Sequence, residues 1–474
     1  MPRKSLLTVP LDASKSQTLQ DQLALGLKKR IQSGALAAGE PLPSSRELAT
    51  ELGIARNTVI AAYDRLIGEG YLEARPRSGL FVVEGLCTRP APLAGGAASK
   101  PVRSAAIRPN RLAGEIPFRQ GRPDVRLFPI ESWARTHSRL LRTQGRSLLS
   151  YLPARMLGLP ALQESLARYL RESRGVHCRA GQIAITSGSQ QALYLLAHVL
   201  AGPGTRSLIE DPGYGLARRA FESTPTALVS VPIDLQGAVV PADLKPTAAV
   251  YLTPSRQFPT GVSMPVARRM QWIGFAARTK AWIIEDDYDS EFRYGHAPLP
   301  SLQSLDPNGR VIYVGTMSKI LFPALRIGYA VLPEELIADF SAIREAVDDH
   351  GPVLDQLTLS EFITTGDFYR HVKRCRKAYA ERQEAFLTAA RSERLPLDFP
   401  HTDGGMNLTG LFTNGINDAD ASRALLEAGI DVPPLSRYAS KAKPNGLMFG
   451  FSAHSPTVIR AGLRRVAEVL ASLG

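Results

Sequence analysis

Residues 85–115, GLCTRPAPLAGGAASKPVRSAAIRPNRLAGE, show no apolar periodicity and are dense in Pro, Gly, Ala and Arg. Such a stretch buries too little apolar surface to offset the entropy of ordering it, so the sequence predicts a flexible linker. A chain interrupted in this way has to build two separate cores: a small one over residues 1–84 and a large one over residues 116–474. The full length of 474 residues is about three times that of a common single domain, which fits more than one core. Hydrophobic residues at 44% and charged residues at 21% suit globular units and exclude wholesale disorder.

The formal charge is +13. Residues 1–115 hold 16 Lys and Arg against 10 Asp and Glu, so nearly half of the excess lies in the first quarter of the chain. That asymmetry points to a polyanionic partner for the small unit, a generally basic proteome being the plainer alternative. No apolar run is long enough to span a bilayer, and the apolar stretch before Asp12 is too short for a signal peptide, so a cytoplasmic location and no membrane partner are expected. Cys87, Cys178 and Cys375 lack CxxC spacing; a disulfide framework and a thiolate zinc site are not expected.

In the small unit, Leu23, Leu27 and Ile31 recur at helical spacing and predict a helix over Leu19–Gln32, ended by Gly34. Ser44 followed by Glu47 is a capping box opening a second helix, with Leu48 and Leu52 on its apolar face. Gly53-Ile54 turns the chain into a third helix that starts near Ala55-Arg56-Asn57-Thr58 and runs to Gly70. This order is that of a helix-turn-helix. Two short strands, Tyr71–Ala74 and Leu80–Val83, then flank Arg75-Pro76-Arg77-Ser78-Gly79 as a basic wing. Arg56, Asn57 and Thr58 bring to a helix start the side chains that pair with base edges and phosphates. Arg75 and Arg77 suit a backbone or minor-groove contact. Helix capping and hairpin solvation are the alternative use of the same residues.

The segment PLPSSRELATELGIARNTVIAAYDRLIGEGYLEARPRSGLFV resembles a GntR-type winged helix-turn-helix over residues 16–84. The resemblance implies double-stranded operator DNA as partner, read by Arg46, Arg56, Asn57 and Thr58, with Gly79 at the wing tip.

In the large unit, helical stretches alternate with short apolar strands, the pattern of an α/β fold with a mostly parallel sheet. Strands are predicted at Ile183–Thr186, Ala248–Leu252, Ala281–Ile284 and Val311–Val314. Ligands in such sheets sit beyond the carboxyl ends of the strands, so the residues that follow carry the chemistry. After the first strand, Ser187-Gly188-Ser189-Gln190 opens a helix and suits a phosphate cradle. After the third, Glu285-Asp286-Asp287-Tyr288-Asp289-Ser290-Glu291 is an acidic cluster whose buried carboxylates need a partner, a metal or a cationic heterocycle. After the fourth, Gly315-Thr316-Met317-Ser318-Lys319, with Arg326 downstream, suits a Schiff-base nucleophile beside a phosphate.

Together, ITSGSQQAL, EDPGY, TPSRQFPTG, WIIEDDYDSEFRY and YVGTMSKILFPALRIGY resemble a fold-type I aminotransferase domain that uses pyridoxal 5'-phosphate. The whole chain is similar to the MocR/GabR regulators, in which a GntR-type reader precedes an aminotransferase-like body. That resemblance implies Lys319 as the Schiff-base lysine, Asp286 at the pyridine nitrogen, Tyr288 at the phenolic oxygen and Tyr214 on the ring face. It also implies Ser189, Gln190, Thr316, Ser318 and Arg326 around the phosphate, no metal, a homodimer, and a cytoplasmic, nucleoid-associated bacterial protein. Core packing for Tyr214 and helix capping for Asp286 are the structural alternatives.

Three positions depart from the aminotransferase pattern. Phe258 stands where an asparagine usually precedes Pro-Thr-Gly, and Arg256 where the regulators often show histidine. Residues 445–452 lack the arginine that clamps a substrate carboxylate, with Arg437 upstream as the substitute. Without a bidentate clamp an α-amino acid is poorly oriented, so a non-carboxylate amine, an amino acid bound otherwise, or the cofactor itself becomes the expected signal. The expectation is therefore a sensor that controls vitamin B6 or amine and amino-acid metabolism genes. A working aminotransferase with an accessory DNA-binding segment is the alternative, and a cofactor-free dimerisation scaffold a third.

Overall fold

The computed structural model describes residues 9–12, 14, 17–84, 117–153, 157–294, 299–401 and 403–473. The predicted linker, with Cys87, lies outside the described residues. Contacts divide the chain into two units, Met1–Arg111 and Leu112–Gly474.

The first unit holds α1 (Leu19–Gln32), α2 (Ser45–Leu52), α3 (Arg56–Gly68), β1 (Leu72–Arg75) and β2 (Gly79–Val82). Thr18 caps α1 through the Asp21 amide, and Leu23, Leu27 and Ile31 are buried as their spacing requires. The Ser44–Glu47 capping box opens α2, and Gly53 closes it in the left-handed region. Leu48, Val59, Tyr63 and Leu66 bring α2 and α3 onto α1, joined by Leu72 and Val82 from the hairpin. Burial of each large side chain contributes about 1.5–3 kcal/mol, which is what so small a unit has to hold it together. β1 and β2 pair antiparallel from Leu72↔Val82 to Arg75↔Gly79. The third helix stops at Gly68, two residues short of the expected Gly70.

The second unit runs α4 (Ile130–Gln144), α5 (Pro160–Arg174), β3 (Ile183–Thr186), α6 (Ser189–Leu200), β4 (Arg206–Asp211), α7 (Gly215–Glu222), β5 (Ala227–Asp234) and β6 (Gly237–Ala238). It continues with β7 (Thr247–Leu252), α8 (Val266–Thr279), β8 (Trp282–Asp287), β9 (Val311–Thr316) and β10 (Gly328–Val331). Helices α9 (Ile337–Val347), α10 (Val353–Thr364) and α11 (Asp367–Ser392) follow. The chain closes with β11 (Leu397–Asp398), β12 (Asn407–Phe412), α12 (Asp418–Glu427), β13 (Gly446–Gly450) and α13 (Pro456–Ala471).

The main sheet has the order β3-β10-β9-β8-β7-β4-β5-β6. Strands β9, β8, β7, β4 and β5 run parallel, while β10 is antiparallel to both of its neighbours. Strands buried on both faces read as continuous apolar runs, which is why Ile183–Thr186 and Val311–Val314 were visible as strands. Two strands run further than the sequence suggested. Glu285, Asp286 and Asp287 lie inside β8, and Gly315 and Thr316 inside β9. The ladder tolerates these polar residues because the flanking carboxylates have partners: Glu285 accepts from the Leu302 and Gln303 amides, and Asp287 Oδ2 from Arg174.

A smaller antiparallel sheet, β11-β12-β13, packs with α11 and α13 around Phe386, Phe449 and Leu463. Phe118, fully buried, stands edge-on to Phe386 and Phe449 and anchors the turn that begins at residue 117 to this sheet. That anchor delivers Gly121 to the carboxyl ends of the main sheet.

Candidate functional site

Gly328, at the start of β10, pairs with Thr186 at the end of β3 and with Thr316 at the end of β9. This register gathers the Ser187–Gln190 turn, the Thr316–Lys319 turn and Arg326 at one place. Gly188 permits the closeness: its φ is 92°, and a Cβ there would lie 2.8 Å from Arg326 Nη2. Any other residue would meet both a strained backbone and the guanidinium. Arg326 donates from Nη2 to the Ser187 carbonyl at 2.8 Å. No side chain caps α6, so its first turn presents the positive end of the helix to the same space. The Ser318 amide donates to Thr316 Oγ1 at 3.2 Å, while Ser318 Oγ is buried with no hydrogen-bond partner among the described residues. Gln190 donates to the Leu216 carbonyl at 3.0 Å, and its own buried Oε1 has no partner among the described residues. A buried hydroxyl left over beside an arginine and an uncapped helix start is a fit for phosphate.

Across the sheet, Asp286 is 4% exposed and accepts one hydrogen bond, from the Tyr251 hydroxyl to Oδ2 at 2.8 Å. Its Oδ1 is buried and has no partner among the described residues. Burial pushes the Asp286 carboxyl up to about 7, with the Tyr251 hydrogen bond and the charge of Lys319 opposing and Asp287 assisting. A buried carboxylate with one free oxygen, in a site that also holds an amine and a phosphate cradle, is a fit for a protonated pyridine nitrogen. Lys319 donates from Nζ to the Gly121 carbonyl at 2.7 Å, across 198 residues of sequence. A Cβ on Gly121 would lie 2.6 Å from that nitrogen, so glycine is needed there as well. Burial lowers the Lys319 amine below its ordinary value, against the raising effect of Asp289 and Asp286. A lysine so placed spends more time as the free amine and can act as a nucleophile.

Aromatic rings wall the space. Tyr214 is the N-cap residue of α7, and the Asp211 carboxylate before it accepts from the Ser440 and Lys441 amides at 2.8 and 2.7 Å. The Gly213 amide donates to the Tyr438 carbonyl. These ties set Tyr214, Tyr288 and Tyr438 edge-on around Phe258, at centroid distances of 5.6, 6.1 and 5.1 Å. Phe258 thus fills an aromatic cluster where a polar amide was the usual residue. Arg256 is buried and already engaged by Asp403, at 3.2 Å, and by the Asn407 carbonyl. β13 carries no arginine, and Arg437 is exposed. Among the described residues no group of three or more His, Cys, Asp and Glu could hold a metal ion, and no helix is long and apolar enough to cross a membrane.

In the first unit, α3 begins with Arg56 and Asn57 exposed, no acidic residue in its first turn and no side-chain cap. Its first turn is therefore free to receive an anion, whereas α2 is closed by its own capping box. Arg56 donates from Nε to Ser45 Oγ at 3.2 Å, joining the two helices of the turn; Thr58 is half-buried and Arg46 exposed. Arg77 stands at the wing with φ 61°, next to exposed Gly79. Arg75 is instead engaged within the hairpin, by Glu73 at 2.6 Å, by Glu84 at 3.2 Å and over the Phe81 ring.

Sequence reasoning missed Tyr251 and Gly121. Tyr251 sits in a strand that reads as plain core, and Gly121 contacts Lys319 only through tertiary structure; its one signal was the glycine itself in Arg119-Gln120-Gly121-Arg122.

Residues 19–82 match the model of the bacterial regulatory proteins of the gntR family. The probable rhizopine catabolism regulatory protein MocR of Rhizobium meliloti is 35% identical, covering 98% of this chain and 96% of the relative. The pyridoxine biosynthesis transcriptional regulator PdxR of Corynebacterium glutamicum is 30% identical over 99% of both. Among solved structures, the α-aminoadipate aminotransferase LysN of Thermus thermophilus, complexed with N-(5'-phosphopyridoxyl)-L-leucine, is 29% identical with a TM-score of 0.69, over 76% of this chain and 93% of that one. With a gntR-type reader ahead of an aminotransferase fold, and relatives that span its whole length, the chain belongs to the MocR-type family of DNA-binding transcriptional regulators.

Proposed function

We propose that the protein is a regulator whose second unit, residues 116–474, binds pyridoxal 5'-phosphate and senses an amine through it, while the first, residues 1–84, reads operator DNA. The observation that carries this is the free, buried Oδ1 of Asp286 in one site with a Lys319 amine depressed by burial. Bound there, the cofactor would supply an electrophilic carbon and a cationic ring that withdraws electrons. Lys319 would attach it, Asp286 would hold the proton on its ring nitrogen, and Tyr288 would donate to its phenolic oxygen. Tyr214 would cover the ring face. Ser189, Gln190, Thr316, Ser318 and Arg326 would hold the phosphate.

The absence of an arginine from β13 and the prior engagement of Arg256 argue against firm capture of an α-carboxylate. The signal is accordingly an amine without one, or the cofactor alone. On the DNA side, Arg46, Arg56, Asn57 and Thr58 would meet the operator, with Arg77 and Gly79 on the adjacent backbone; Arg75 would have to leave Glu73 and Glu84 to join them. Large apolar side chains left exposed near α4, Ile130 at 63%, Leu149 at 76% and Tyr151 at 87%, support a homodimer as the assembly. Titration of the cofactor into apoprotein tests the reading: a stoichiometric Schiff-base absorbance in the wild type that is lost in Lys319→Ala is expected. Equal absorbance in both proteins would overturn it.

A further inference from the structure

Residues 118–124 lie just after the predicted linker, and hydrogen bonds fasten them along their length as a strap. The Phe118 amide donates to His454 Nε2 at 3.1 Å, and its carbonyl accepts from the Gly450 amide at 2.7 Å. Gln120 donates to the Tyr438 hydroxyl at 2.6 Å, and the Gly121 amide donates to Asn407 Oδ1 at 2.8 Å. The Arg122 carbonyl accepts from Ser452 Oγ at 2.7 Å. The Asp124 amide donates to the Tyr379 hydroxyl at 2.9 Å, and its carboxylate accepts from Arg382 at 2.8 Å. The strap lies so close to β13 that a Cβ on Gly450 would stand 2.3 Å from the Arg119 carbonyl oxygen. These partners belong to β12, to β13 and the loops beside it, or to α11, all in the layer of the small sheet.

Lys319 is the exception. It stands in the turn after β9 of the main sheet and donates from Nζ to the Gly121 carbonyl at 2.7 Å. The ties named above stay within one layer, whereas this one crosses between the two. It is also the tie whose donor changes chemically under the reading of Lys319 given above, on which this inference rests. As a free amine, Nζ has hydrogens to give to the carbonyl. When Lys319 attaches to the aldehyde carbon of the cofactor, two hydrogens leave with the aldehyde oxygen as water. The nitrogen then keeps at most one proton, taken from solvent, and the phenolic oxygen beside that carbon accepts it. The Gly121 carbonyl is left without its donor. An incoming primary amine, attacking as the free base, reverses this. One carbon–nitrogen double bond forms as another breaks, one proton passes from the incoming nitrogen to Lys319, and the freed amine can again donate to Gly121. Atoms and charge balance without a further reactant.

We propose that the hydrogen bond from Lys319 to Gly121 is a latch between the main sheet and the strap, open while Lys319 is attached to the cofactor and closed once an amine has displaced it. Gly121 suits this use because a Cβ there would lie 2.6 Å from Nζ, so only bare backbone lets the lysine rest against the carbonyl. Opening the latch removes the crossing tie and leaves the strap held by the small-sheet layer. The chemical state of Lys319 thereby sets how firmly the root of the linker is held.

The test is hydrogen exchange of the full-length protein, read by mass spectrometry on peptides covering residues 118–124 and 187–190. Three states are compared: apoprotein, protein with pyridoxal phosphate, and that protein treated with O-methylhydroxylamine, which displaces the lysine whatever the natural signal is. With cofactor the Gly121 amide should exchange about three- to tenfold faster, the effect of one lost hydrogen bond on local opening, while residues 187–190 slow as phosphate fills their turn. O-methylhydroxylamine should return the strap to its apoprotein rate. Lys319→Ala should exchange fast at the strap in every state, including without cofactor. Strap exchange that the cofactor leaves unchanged or slows, in a wild type that shows the Schiff-base absorbance, would overturn the latch. So would a Lys319→Ala apoprotein as protected there as the wild type. Should Lys319→Ala fail to fold, the three wild-type states decide alone. The two claims fail separately: missing absorbance refutes the assigned chemistry of Lys319, whereas the two apoproteins still decide whether its bond fastens the strap.

Discussion

Replacing Tyr251 with phenylalanine should weaken cofactor binding in a pH-dependent way that the geometry fixes in advance. The hydroxyl donates to Asp286 Oδ2 at 2.8 Å in a fully buried setting, and this bond counteracts the burial that pushes the carboxyl up to about 7. A hydrogen bond to a charged group is worth about 1.5–3 kcal/mol, and one pKa unit corresponds to about 1.4 kcal/mol, so its loss should raise the carboxyl by a further one to two units. Near pH 7.5 the ionised fraction of Asp286 would drop from about three-quarters to about a quarter or less. A cofactor whose ring nitrogen must be held protonated would then bind about three- to twentyfold more weakly, since only the ionised carboxylate retains that proton. Dissociation constants measured from pH 6 to 9.5 by absorbance should give a variant-to-wild-type ratio that is largest at the acid end and falls toward one at the alkaline end. A ratio independent of pH would refute the reasoning, because it would mean that Tyr251 acts by packing and not on the Asp286 charge.

Three further outcomes follow from the same structure. Gly188→Ala places a methyl group 2.8 Å from Arg326 Nη2 on a backbone with φ 92°, so cofactor affinity should fall at least tenfold while Arg56-dependent DNA binding is retained; equilibrium titration and gel shift measure the two. Arg56→Ala, at the exposed start of α3, should cost about 1–3 kcal/mol of operator affinity and lower the slope of log affinity against log salt by about one, which titrations at several salt concentrations will show. Glu210 is 1% exposed and pushed up to about 7 by burial, so its ionised form costs stability that grows as pH rises from the ordinary carboxylate range through 7. Glu210→Gln should therefore gain on the wild type in melting temperature between pH 5 and pH 8, whatever the constant effect of its altered hydrogen bonds to Thr253 and Gln257; a difference that does not change with pH contradicts this.

What could be read in the sequence was local. The Ser44–Glu47 capping box, the i, i+4, i+8 series of Leu23, Leu27 and Ile31, and the apolar run of β9 each express a short-range rule of helix or strand. Strand ends were less legible. Glu285–Asp287 were read as following the strand because charged residues seldom continue a buried one, and what lets them do so, Arg174 and the amides of residues 302 and 303, comes from elsewhere in the chain. The same distinction separates Lys319, Asp286 and Arg326, which lie in recognisable local motifs, from Tyr251 and Gly121. Tyr251 is a core residue by pattern and acquires its role only because β7 and β8 lie side by side. Gly121 reaches Lys319 through the Phe118 anchor, a contact no window of sequence contains. Phe258 was noticed as a departure, but its closeness to Tyr438 depends on the tie between the Asp211 carboxylate and the Ser440 and Lys441 amides.

The central claim, that amine chemistry at Lys319 changes DNA binding, is tested most directly by fluorescence anisotropy of full-length protein on DNA from its own upstream region. Pyridoxal phosphate is titrated into apoprotein first, and candidate amines are added afterwards. The account predicts a change in operator affinity or stoichiometry on addition of cofactor, of amine, or of both, and no such change in Lys319→Ala. Binding curves that are identical in every condition, or a response that persists in Lys319→Ala, would contradict it.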